Sequence, residues 1–160
     1  MKTITSDQIE KAWRKIETMS DDELGEAFLL FEENQPQMLD YLENSAGDIL
    51  NTQERDELIF NGFSVYQIIS YIREIPLIKK EQLEKTEERD FGHFTEDENI
   101  VNAQEDLDRF IDNNNQIFLM EEFMDIILED SESGIFRRNS VSAVFFILAA
   151  LIGAVDETVH

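Results

Sequence analysis

Chemistry near neutral pH relies most often on histidine, cysteine, or carboxylates held at different acidities. This chain offers only His93 and His160, and no cysteine. Disulfides, thiolate zinc sites and cysteine nucleophiles are therefore excluded. A di-iron helical bundle needs a Glu-x-x-His motif on each of two helices, and the chain contains none. No second histidine lies within a helical turn of His93, which reads as a loop residue, and a serine triad would have to recruit it. Placing Gly134 at the sixth position of an EF-hand loop puts Glu129 first and Ser140 twelfth, where Asp and a bidentate Glu are required. No Gly-x-Gly-x-x-Gly, Walker loop or Gly-x-Ser-x-Gly elbow occurs. The pairs Glu32-Glu33, Glu87-Glu88 and Glu121-Glu122 remain, but adjacent helical residues point about 100° apart and fall at the edge of a solvated face. The expectation is a protein that is not an enzyme and takes no cofactor and no metal.

Charge is the more informative property. Against 13 Lys and Arg stand 36 Asp and Glu, a net charge of −23, which removes the basic patch that nucleic-acid binding requires. The excess is uneven: residues 1–80 hold 8 bases and 16 acids, residues 81–160 hold 5 and 20. Such a field favours a basic partner and speeds association with it. Glu87, Glu88 and Asp90, then Glu96, Asp97 and Glu98, then Glu105, Asp106, Asp108 and Asp112 are the candidate partner-binding residues.

The elements that must carry these residues are helical. Two Pro and 6 Gly are too few for the turns of a β-sandwich. Capping boxes at Thr5-x-x-Gln8, Ser20-x-x-Glu23 and Asn51-x-x-Glu54 open three amphipathic segments, predicted over 6–19, from Asp21 to Asn34, and from Asn51 up to Pro76. Trp13 and Ile16 face inward on the first, and Pro36 starts a short helix that Gly47 ends. Gly62 lies inside the long apolar stripe, where a close helix crossing would explain it. From Lys79 to Asn99 the pattern thins, predicting a frayed helix and a mobile acidic connection over about 85–99. Thr95-x-x-Glu98 restarts helix, and Asn113-Asn114-Asn115 either ends or bends it, so 96–130 reads as one helix or two. Asn34-Gln35-x-x-Met38-Leu39-Asp40-x-Leu42 recurs 81 residues later as Asn115-Gln116-x-x-Leu119-Met120-Glu121-x-Phe123, the trace a duplicated helical unit leaves.

Asn139 or Ser140 is placed to cap the most apolar stretch, Val141 to Val155. Fifteen residues rise about 22 Å, short of the roughly 30 Å hydrocarbon core of a bilayer, so a buried central helix is expected. The fold is predicted as all-α, a single domain over 1–160, with six to eight helices around a C-terminal helix at about 140–156. The N-terminus lacks the apolar run of a signal peptide, which points to the cytoplasm. The function expected is an acidic protein-interaction module of inhibitor, immunity or chaperone-like kind, bound to a basic protein. Two alternatives stand beside it: a membrane-associated protein anchored by 141–155 with Arg137-Arg138 at the cytoplasmic side, and a helical homodimer.

Overall fold

A computed structural model describes residues 1–92 and 100–159, with the backbone alone at 100–104. The described residues form eight α-helices and no strand: α1 (Ser6–Glu17), α2 (Asp21–Asn34), α3 (Pro36–Asn44), α4 (Thr52–Ser70), α5 (Lys80–Phe91), α6 (Ile100–Asp112), α7 (Ile117–Glu132) and α8 (Val141–Thr158). All three predicted capping boxes close, with Thr5, Ser20 and Asn51 accepting from the N–H of Gln8, Glu23 and Glu54. Gly47 takes a left-handed φ of 55° after α3, as its place there suggested. The stretch 96–130 resolves into two helices where it is described, because the backbone leaves the helix at Asn113 and restarts beyond Gln116.

The apolar C-terminal helix is the core. Val144, Phe145, Leu148, Ala150, Leu151 and Val155 are buried on several sides of α8, which packs on α4, α5 and α7. The segment Arg138–Thr158 is long and apolar enough to cross a membrane by length and composition, with a mean hydropathy of 1.8. Here its apolar surface is covered by the other helices. The helix is entered through a 3-10 turn, Arg138–Ser140, and not through a side-chain cap at Ser140.

Two expectations change. Residues 80–91 form a regular helix with Leu83, Thr86 and Phe91 buried, where a frayed segment was predicted, while 93–99 lie outside the described residues. Few apolar residues suffice there because α5 lies along α8, where Gly153 receives the Thr86 methyl group. Helix α4 ends at Ser70, although its apolar stripe continues toward Pro76. The following segment is extended because a glutamine holds it: buried Gln35 (1 % exposed) donates to the carbonyl of Pro76 at 2.9 Å and accepts from the N–H of Ile78 at 3.0 Å.

The same clasp occurs a second time. Gln116 (0 % exposed) donates to the carbonyl of Lys2 at 3.0 Å and accepts from the N–H of Ile4 at 2.9 Å. Both glutamines begin a helix, α3 and α7, and both clasp the extended segment that leads into α1 or α5. After each clasped isoleucine the sequence runs in parallel: Ile4-Thr-Ser-Asp-Gln8-Ile-Glu10-Lys11 and Ile78-Lys-Lys-Glu-Gln82-Leu-Glu84-Lys85. Gln8 and Gln82 each accept the N–H of the residue directly after the clasped isoleucine, Thr5 and Lys79, and Lys11 and Lys85 each pair with an acid one turn back. The packing repeats as well: α1 on α4 as α5 on α8, α3 on α4 as α7 on α8, α2 on α3 as α6 on α7. Between halves, α3 packs on α5 as α7 packs on α1, and α4 meets α8. The molecule is two similar four-helix units, each holding the other's leading segment.

Candidate functional site

The predicted acidic residues divide among three places. Glu96, Asp97 and Glu98 lie outside the described residues. Glu87, Glu88 and Asp90 stand on α5, and Glu105, Asp106, Asp108 and Asp112 on α6. Those described differ in exposure. Glu87 is half-buried toward Tyr41 of α3, and burial raises its carboxyl above the usual range. The buried Tyr41 hydroxyl is raised in turn by burial and by the Glu87 charge, without meeting that carboxyl in hydrogen-bonding geometry. Asp90 accepts two hydrogen bonds from Arg89, whose guanidinium also reaches Glu157. Glu88, Glu105, Asp108 and Asp112 are exposed, and Asp106 lies 3.8 Å from Arg109.

A stronger constellation escaped the sequence reading. Trp13 on α1 donates its indole N–H to Glu122 on α7 at 3.1 Å, and its ring tilts against Phe123 at 6.0 Å. Around this bond the two helices leave a groove of about 640 Å³ lined by Ile9, Trp13, Phe118 and Ile126 on its apolar side and by Glu10, Glu17 and Glu122 on its rim. Phe118 is 40 % exposed at its mouth. Arg14, also at the rim, is engaged with Glu10 at 2.6 Å. The bulky Trp13 looked like core because it falls on the inward stripe of α1. What it faces is set by α7, more than 100 residues away, which no local pattern reveals.

The deepest charged site is structural. Glu54 (0 % exposed) accepts from the Arg137 guanidinium at 2.7 and 3.0 Å, from the Arg137 N–H at 2.9 Å and from the Asn51 N–H at 3.0 Å. Burial alone would raise this carboxyl, but the hydrogen bonds from Arg137 and Asn51 prevail and hold it at about 2. Arg137 thereby ties the start of α4 to the entry of α8, and it also donates to the carbonyl of Ile49. Among the described residues no three His, Asp or Glu side chains are grouped to hold a metal ion. Compared with protein-family models, curated proteins and solved structures, the chain matches none.

Proposed function

We propose that this chain is a non-enzymatic interaction module that docks a basic protein, in the manner of an inhibitor, an immunity protein or a chaperone of a basic client. One observation carries the reading: 36 acids stand against 13 bases, and among the described residues seven of those bases are already paired with acids of the chain itself. Lys11, Arg14, Lys80, Lys85, Arg89, Arg109 and Arg137 all sit in ion pairs among the described residues. Helix α7, by contrast, carries Glu121, Glu122, Asp125, Glu129, Asp130 and Glu132 with no base. Solubility needs no such segregation, since interspersed charges serve it equally well.

The test is a pull-down from a cell extract with the full chain as bait. Basic proteins retained at about 50 mM salt and released by about 300 mM, as screening shortens, support the reading. Retention of nothing, or of a partner indifferent to salt, opposes it. Reversing Glu105, Asp106 and Asp108 to Lys slows association if α6 contributes to the encounter.

A second reading draws on the composition of α8, which would suit a membrane anchor. Expression without detergent separates the two: a monodisperse soluble product excludes the anchor, and recovery only in the membrane fraction excludes the soluble module. The exposed Leu29 and Leu30 on α2 would serve a homodimer instead, which gel filtration detects.

A further inference from the structure

The two halves of the molecule meet at two equivalent seams, one closed and one with a groove. Between α3 and α5, Gln37 accepts the N–H of Lys80 at 2.9 Å, and the Lys80 ammonium sits 2.7 Å from Asp40. Tyr41, fully buried, fills the middle opposite Glu87. In the corresponding seam between α7 and α1, Phe118 stands where Gln37 does, Ser6 where Lys80 does, Glu121 where Asp40 does and Glu122 where Tyr41 does. The ties through Gln37 and Lys80 are gone, and the hydrogen bond from Trp13 to Glu122 is the one that joins these helices. No described cation reaches Glu121, and the aromatic ring of this seam comes from the other helix: Trp13 holds the place of Glu87, opposite Glu122, and a groove lies beside it.

The closed seam thus shows what the open one lacks: a cation over the acid that Glu121 matches, Asp40. Resting on the interaction reading above, the geometry points to the α1–α7 groove as the seat of a basic amphipathic helix of the partner. Its apolar residues enter between Trp13, Phe118 and Ile126. A Lys or Arg lies over Glu121 as Lys80 lies over Asp40, and further bases face Glu17 and Asp125. A trough between two helices suits a helix laid along it, read through apolar anchors on one face. Charge complementarity selects a basic helix, because the groove is lined by Glu10, Glu17 and Glu122 against Arg14, which is itself paired with Glu10.

Trp13 is the chain's single tryptophan, so its emission reports on this groove alone. The probes are two tryptophan-free peptides of Leu and Lys, each about 18 residues or five helical turns long. One has an apolar stripe at helical spacing, and the other has the same composition with the stripe scrambled. With the full chain at low salt, the striped peptide shifts Trp13 emission saturably and binds about tenfold more tightly by calorimetry than the scramble. Phe118→Ser removes about that factor for the striped peptide and leaves the scramble unchanged. Glu121→Lys weakens the striped peptide several-fold at low salt and less at high salt. Both positions are exposed, so circular dichroism is expected to show each variant folded. Equal binding of both peptides with Trp13 emission unmoved overturns the groove while sparing the broader reading. Binding of neither peptide overturns both.

Discussion

At the scale of single residues, the molecule is joined by polar side chains that the hydrophobic pattern does not announce. Glu54 is the N3 member of a capping box, a role its spacing from Asn51 makes plain. Its second partner, Arg137, lies 83 residues away and is invisible to any local motif. Arg137→Met leaves the buried Glu54 charge with two backbone N–H donors, of Asn51 and of residue 137, and no counter-ion, and a loss of about 3 kcal/mol is expected in chemical denaturation. Glu54→Gln with Arg137→Met together are expected to cost less than the two single changes summed, because no buried charge is stranded. The glutamine clasps make a matching prediction. Gln35→Ala and Gln116→Ala each strand a buried isoleucine N–H and release a partly buried carbonyl, and each is expected to cost about 2 kcal/mol. Unequal losses, one near zero, would show that the two clasps do not hold their segments alike.

Helices were the most legible level, since caps and apolar spacing are local properties. Gly62 shows how a helix interior records its neighbour: a Cβ there would lie 2.4 Å from Leu42 of α3, whose side chain is fully buried and has no room to move. Gly62→Ala is therefore expected to destabilise, as overpacking outweighs the roughly 1 kcal/mol gained in helix propensity. Gly25, in the exposed face of α2 with open space around it, is the control, and Gly25→Ala is expected to stabilise by up to about 1 kcal/mol. Thermal melts of the two variants must move in opposite directions. The sequence reading erred where tertiary contact decides. The helix α5 is sparse in apolar residues yet is held by α8, and α4 stops early because Gln35 takes the next segment. The duplication was half legible. Asn34-Gln35 and Asn115-Gln116 recur at 81 residues, but the Ile-x-x-x-Gln segments recur at 74, so a single fixed period finds only one of them. The open groove was not legible at all, because it exists only as the difference between two equivalent seams.

For the whole molecule, a highly apolar helix lies inside a shell whose net charge is −23. That shell repels itself near neutrality, and burial adds to the strain. Glu57, Glu87 and Asp130 are all raised, first by burial and then by neighbouring carboxylates. A raised carboxyl binds its proton more tightly in the folded state, so these groups stabilise the fold as pH falls and oppose it as pH rises. Glu54 runs the other way. Its contribution is present above the ordinary value of 4.5 and is lost as pH falls toward about 2. Melting temperature is expected to rise from pH 8 to about pH 5.5 and to fall again in stronger acid, and a steady fall from pH 8 downward would contradict this balance.

Most depends on α8 being enclosed, with α4, α5 and α7 packed on it and the carboxylates outermost. Native-state hydrogen exchange of the full chain in detergent-free buffer tests that arrangement directly. The amides of residues 144–155 are predicted to exchange slowest, through global unfolding alone, while those of α2 and α6 exchange by local opening. Rapid exchange along α8 in a folded, soluble protein, or protection that appears only when detergent or lipid is added, would contradict it.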